Sequence, residues 1–545
     1  MKEKMLTKGI SRAGKPDSIV AIAPTRAVAL AVLGLALGAP GCQQHPSLDP
    51  ADGGVRPVEG GSTAAPPERE IWEVALMQGT RVGYSHTVIR RLKENGQDRV
   101  LIEGAMRLAI RRFGTPMTME IRFASTETAD GKLLACESVI SQAAATVVAK
   151  GRVADGKLEL HTTTSGKTTR TTIPWTPETG GFYAVQQSLV RKPMKPGERR
   201  TVRALEPGTT SISTTDLVAR DRESVDLLGA KAELLRIDTT TTLENQTIRG
   251  NLWVDGDGEI WKTRTDMLEL QQIRVAKEEA LRAAEPGQLD FAWNTAVPVD
   301  RGLERPHATQ RVRYRVRLEE GNPAEVFATG PSQQVRSIDP HTAEITVVAI
   351  RPGRSSLEGT ASAGEGKGRT PDDKAADAPT VQDREPNNWI QSDHPAIIAA
   401  ANEAAGTLDD PWQAAVALER AARERIRRPG FSQAFDTAAD VMQSGEGDCT
   451  EHAVLLAALA RARGIPARVA IGLVYSKQSF LYHMWTELYV QGQWVPMDAT
   501  LAQGGIGAAH LKLAHSNLAG ASALTCFLPV AQVIGRLRVE IVEVE

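Results

Sequence analysis

The run Gly445-Glu446-Gly447-Asp448-Cys449-Thr450-Glu451-His452 places a thiol directly after a glycine-rich turn, at the start of a helical stretch. Unpaired backbone N–H groups and the positive end of the helix dipole lie at such a position. Both favour thiolate over thiol, so Cys449 is a candidate nucleophile near neutral pH. His483 follows 34 residues later in Tyr482-His483-Met484-Trp485, and Asp498 lies 15 residues beyond it in Trp494-Val495-Pro496-Met497-Asp498. A His on one strand and an Asp at the end of the next complete a nucleophile, base and orienting carboxylate. The imidazole takes the thiol proton, and the carboxylate sets its tautomer.

Two further features of this stretch suggest other roles. His452 lies three residues after Cys449, on the same helical face. The pair is half of a Cys-x-x-His metal site, but no second pair completes it, so His452 reads as a neighbour of the site or a capping contact. Asp255-Gly256-Asp257-Gly258-Glu259 has the look of a calcium loop without its full ligand spacing and reads as a hairpin turn.

Taken in order, Gly447-Asp448-Cys449, Gly464-Ile465-Pro466-Ala467-Arg468, His483-Met484-Trp485 and Trp494-Val495-Pro496-Met497-Asp498 resemble the transglutaminase-like superfamily, a papain-like cysteine nucleophile fold. The resemblance covers roughly residues 387 to 515. Met484 departs from it, since Ala is common there. The resemblance implies triad roles for Cys449, His483 and Asp498. It implies acyl transfer through a thioester, resolved by an amine in cross-linking or by water in hydrolysis, with no cofactor and no metal. Gln443, six residues before the cysteine, has a spacing resembling the papain-type oxyanion Gln. The backbone N–H of Cys449 is the alternative donor.

The elements that must position these groups are readable nearby. Asp410-Pro411 starts a helix with a capping residue and a proline in the first turn. Thr437 to Met442 reads as a short helix. Cys449 to Arg463 reads as a longer one, with Leu455, Leu456 and Leu459 on a buried face and Gly464 at its end. Arg468–Val474, His483–Val490 and Gln493–Pro496 read as strands, the last two joined by a hairpin at Gln491-Gly492. Arg468 takes a structural part near a strand start, and Trp485 and Trp494 read as core and cleft wall.

The expected class is α+β: a papain/transglutaminase-like catalytic domain over 387–545, preceded by a large antiparallel β-rich region. Asn95-Gly96, Asp130-Gly131, Asp155-Gly156 and Ser165-Gly166 are hairpin signals within a β-rich domain over 70–285. A small β block over 286–352 follows. In its Arg311-Val312-Arg313-Tyr314-Arg315-Val316-Arg317-Leu318, arginines alternate with apolar residues, as on a strand with one solvated face. Residues 353–386 are poor in large apolar residues and read as a disordered linker.

At the N-terminus, Lys and Arg residues precede the apolar run Ala27–Ala39 and then Pro40-Gly41-Cys42. The run has the length of an export signal and is short for a membrane span. It resembles a bacterial lipoprotein signal over 1–42, with Cys42 lipidated, followed by a flexible tether over 43–69. The expected location is the cell envelope, anchored to the membrane through Cys42. Sixty-four Lys and Arg against 66 Asp and Glu leave a net charge of −2, which excludes a general nucleic-acid binder. Four cysteines in 545 residues cannot form a disulfide scaffold. Cys136 and Cys526 read as small apolar fillers, although a bond between them suits an oxidising compartment. The expected partner is a protein or peptide substrate. Two other functions fit the same residues: a non-catalytic envelope binding or scaffold protein with an idle domain, and an amidase on cell-wall peptides.

Overall fold

The computed structural model describes residues 66–142, 145–207, 211–243, 246–282, 289–351, 377–430, 435–519 and 527–545. The expected signal, Cys42, most of the tether, much of the 353–386 segment and Cys526 lie outside the described residues.

Fifteen strands form one sheet. β1 (Arg69–Met77), β2 (Thr80–Glu94), β3 (Gln97–Arg112), β4 (Thr115–Thr128), β5 (Leu133–Gln142), β6 (Ala145–Ala154), β7 (Lys157–Thr164) and β8 (Lys167–Pro174) follow one another outward from β1. β9 (Thr179–Gly180), β10 (Arg199–Leu205), β11 (Ile212–Leu227), β12 (Ala230–Leu243), β13 (Gln246–Val254), β14 (Ile260–Thr265) and β15 (Gln271–Val275) lead back to the other edge of β1. There Trp72 faces Val275. Every neighbour is antiparallel except the short β9–β10 pair. Asn95 and Gly96 both take positive φ, 51° and 76°. That is the mirror-image turn whose twist matches the flanking strands. Strict alternation, as in β4, puts Met117, Met119, Ile121 and Phe123 on the buried face. The helix α1 (Ala184–Arg191) packs on the sheet, where Gln187 donates to the buried Glu127 of β4.

β16 (Val297–Pro298), β17 (Arg311–Leu318), β18 (Gln333–Asp339) and β19 (Thr342–Val348) come next. Four helices follow: α2 (Pro395–Ala405), α3 (Pro411–Arg425), α4 (Ala438–Ser444) and α5 (Cys449–Ala462), with the short parallel pair β20 (Arg428–Pro429) and β21 (Glu446–Gly447) among them. β22 (Ala467–Ser476), β23 (Ser479–Val490), β24 (Gln493–Met497) and β25 (His510–Ser516) form the sheet behind α5, and β16 adds to it beside β23. The last strand, β26 (Leu537–Val544), returns to pair with β17. The arginine row of β17 is the polar face: Arg311, Arg313 and Arg315 pair with Glu545, Glu543 and Glu540 alongside β26. The stretch Asp255–Glu259 is a turn, in which Asp255 Oδ1 accepts the N–H groups of Asp257 and Glu259 at 3.0 and 2.9 Å.

The α+β class is overturned. Among the described residues the molecule is mostly β, with 52% in strands and 18% in helices. Capping residues and apolar stripes make helices conspicuous between Asp410 and Gly464. The strands of the large sheet run up to sixteen residues, far beyond the short runs that alternation reveals. Among the described residues no helix is long and apolar enough to cross a membrane.

Candidate active site

Cys449 opens α5. Asp448 caps the helix: its Oδ1 accepts the Thr450 N–H at 2.8 Å, and its side chain also takes the Glu451 N–H, while Glu451 Oε2 accepts the Asp448 N–H at 2.9 Å. This reciprocal box satisfies two of the amides that a helix start leaves unpaired. The His452 N–H bonds the Asp448 carbonyl at 3.0 Å. The Cys449 N–H stays unclaimed by the helix. Gly447 precedes the cap at φ 158°, and a Cβ there would lie 2.3 Å from the Glu451 Cβ, so the close turn needs a residue without a side chain.

His483 and Asp498 come from the sheet. Thr486 of β23 donates to the Ala453 carbonyl of α5 at 2.9 Å, which pins the helix to the strand. Thr486 also pairs with Met497 across the β23–β24 hairpin, so Asp498 emerges just past β24 beside β23. His483 Nε2 meets Asp498 Oδ2 at 2.8 Å. The other ring nitrogen is left for the Cys449 thiol, which hydrogen-bonds with His483. The structure thus brings Cys449, His483 and Asp498 together, and all three are buried. His452 stands on the same helix, with its Nδ1 2.6 Å from the Asp448 carbonyl. Gln443 does not join the cluster. Its side chain is exposed near the end of α4, while its carbonyl accepts from Arg425 at 3.2 Å.

Three groups that local spacing did not single out surround Asp498. His510, at the start of β25, presents Nε2 to the same Oδ2 at 3.1 Å. Thr500 gives Oδ1 its N–H at 2.9 Å and also its hydroxyl. Glu419 of α3 accepts the Asp498 N–H at 3.1 Å and the Gly504 N–H at 2.7 Å. A second histidine 12 residues after Asp498 was the available signal for His510. Ligand atoms of His483, Asp498 and His510 all lie within 4.8 Å of one another. Both imidazoles aim at one carboxylate oxygen, which is the geometry of two N–H donors on a shared acceptor.

Charge follows from these contacts. Burial opposes a charge on His483, but Asp498 and the Cys449 thiolate outweigh it and raise the imidazolium to about 10. Burial likewise opposes the Asp498 charge, and His483 outweighs it and holds the carboxyl well below its usual range. Cys449 goes the other way. Burial, then the Asp448 charge, push the thiol up, against the pull of His483. The helix start alone therefore does not give a resting thiolate near neutral pH, because the thiol is only 1% exposed. Behind the site, Glu487 of β23 is fully enclosed by Arg468 of β22 at 2.7 Å and Lys512 of β25 at 2.6 Å. Burial would raise this carboxyl, but the two cations hold it far below the ordinary range. Arg468 also stacks on Trp494, 3.9 Å from the ring centre, so it ties three strands together.

Residues 398–499 match the family model described as the transglutaminase-like superfamily. This segment is a transglutaminase-like domain. Its matched span includes Cys449, His483 and Asp498 and ends before His510. No curated protein matches the chain. Among solved structures, a candidate cysteine protease from Cytophaga hutchinsonii is 15% identical, with 44% of this chain and 85% of that one covered at a TM-score of 0.26. A β-barrel-like protein of a domain of unknown function from Brucella abortus is 11% identical, covering 38% and 93% at 0.27. The periplasmic domain of TgpA from Pseudomonas aeruginosa is 16% identical, covering 36% and 92% at 0.21. At scores this low these likenesses carry no functional argument.

Proposed function

We propose that this chain is an exported cysteine-dependent enzyme that opens amide bonds through a thioester. The observation that carries the reading is the buried chain of hydrogen bonds from the Cys449 thiol through His483 to Asp498. In the resting site Cys449 and His483 share one proton across their hydrogen bond. As the sulfur attacks a carboxamide or peptide carbonyl, that proton stays with His483, and Asp498 stabilises the imidazolium. The carbonyl oxygen gains negative charge next to the N-terminus of α5. The Cys449 N–H is free to meet it there. His483 then protonates the leaving amine, the C–N bond breaks, and a thioester remains on Cys449. Water resolves it to an acid, or a second amine resolves it to a new amide, with His483 accepting the proton in either case. His510 and Thr500 hold Asp498 in place through both steps. In this reading residues 1–42 export the chain, Cys42 anchors it to the membrane, and protein or cell-wall peptides are the substrates.

Amine incorporation and peptide or amide hydrolysis, measured on wild type and Cys449→Ala, test the proposal. The variant should lose activity by about a thousandfold or more. Equal rates would overturn the assignment. A buried thiol also suits an idle domain that only binds. Absence of turnover in wild type across both assays would favour that second reading.

A further inference from the structure

The last residue of β3, Arg112, is fully buried and forms an ion pair with Asp448, which is fully buried too. The partners are 336 residues apart, and Asp448 is the residue immediately before the nucleophile. The hairpin that carries Arg112 is fastened on its other side: the Phe113 N–H meets Asp290 at 3.0 Å, and the Arg111 N–H meets the Leu289 carbonyl at 2.9 Å. A second hairpin of the same sheet also rests on the transglutaminase-like domain. Ser165 donates to Asp440 at 2.6 Å, and Lys167 lies 3.2 Å from Asp393. The large sheet is therefore docked where the thiol sits.

The start of α5 needs a cation. Asp448, Glu451 and Asp436 all bury carboxyl groups around it, and Glu451 reaches both the Asp448 and the Asp436 N–H. Burial, then the Asp448 charge, hold the Glu451 carboxyl well above its usual range, and burial raises Asp436 to about 7. Asp448 therefore carries the charge that opposes the positive end of the helix dipole, which would otherwise favour thiolate. An unpaired buried carboxylate is also costly, and a guanidinium is the side chain best suited to pair with it.

We propose that Arg112 is a positioning residue of the thiol site, through which the large sheet neutralises Asp448 and so permits Cys449 to ionise. The proposal rests on the reading of Cys449 as the nucleophile. It makes the β-rich part of the chain a component of the catalytic apparatus. The charged or titratable groups around the thiol are Asp448, Glu451 and His452 on its own helix and cap, Asp436 from the preceding loop, and His483 with Asp498 on the sheet side. Of these, Asp448 is the one that raises the thiol by its charge.

The test is the pH dependence of Cys449 alkylation by iodoacetamide, read by mass spectrometry on the full-length protein, with melting curves to show folding. Arg112→Met leaves the Asp448 charge uncompensated and should move the midpoint up by about one pH unit. Asp448→Asn keeps a capping side chain but leaves Arg112 as a nearby cation, and should move it down by a similar amount. The double variant and Arg112→Lys should lie near wild type. A purely structural ion pair would move both single variants in the same direction, or neither, and either result overturns the proposal. If Arg112→Met fails to fold, Asp448→Asn decides: a downward shift supports the proposal, and an upward shift or none overturns it. The alkylation midpoint needs no turnover, so it can fail while Cys449→Ala still abolishes activity, and the reverse also holds.

Discussion

Two imidazoles share one carboxylate oxygen at the centre of this site, and that sharing has consequences for each partner. Both His483 and His510 must present Nε2–H to Asp498, so His483 keeps its second nitrogen for the thiol. Asp498→Asn should lower kcat by about 10³- to 10⁴-fold, because an amide can orient the wrong tautomer. His510→Ala should cost about 10- to 100-fold in kcat with little change in KM, since it lets the carboxylate drift. His510→Gln, which keeps an N–H donor, should recover most of the loss. Equal losses in the two His510 variants would contradict the positioning role. The folded-state value of His483 stands above its unfolded one, so its stabilising contribution is complete below about 6.5 and fades as pH rises through about 10. Cys449, also held above its ordinary value, acts in the same direction. Melting temperature should fall by about 5–10 °C between pH 7 and pH 10, and that fall should shrink in His483→Gln. Cys449, His483 and Asp498 were readable because each lies in a short motif with local punctuation. Glu419 and Arg112 were not, since each acts on partners 79 to 336 residues away and carries no local mark of doing so.

Elements differ in the same way. The helices α3 and α5 were readable because their starts bear capping residues, and the caps are made: Asp410 accepts the Trp412 N–H at 2.8 Å and Asp448 closes its box with Glu451. Turn dipeptides marked the hairpins. They could not say that β15 would close onto β1, a pairing set by burial across about two hundred residues of chain. Behind the active site, Arg468, Glu487 and Lys512 hold β22, β23 and β25 in register. Replacing Glu487 by Gln takes the charge partner from buried Lys512 and leaves Arg468 paired with Asp377 alone. It should destabilise the protein by about 3–5 kcal/mol, measurable in urea unfolding. A change within about 1 kcal/mol would show that the network is not what fixes the register.

At the scale of the whole molecule, the fifteen-strand sheet and the transglutaminase-like domain are joined by contacts that include the nucleophile's own cap. The small sheet crosses the same divide: β26, at the end of the chain, completes β17, and β16 extends the sheet that bears His483. A fragment covering 377–545 should therefore give no cooperative melt on its own, because it loses both partners. The α+β expectation failed here, where weak period-two signals had to outweigh a few well-capped helices. The central claim is that His483 activates Cys449 as a nucleophile. Its most direct test is the rate of Cys449 alkylation by iodoacetamide at pH 7.5 in wild type and in folded His483→Ala. Activation predicts a rate at least about tenfold lower in the variant. Equal rates would contradict it.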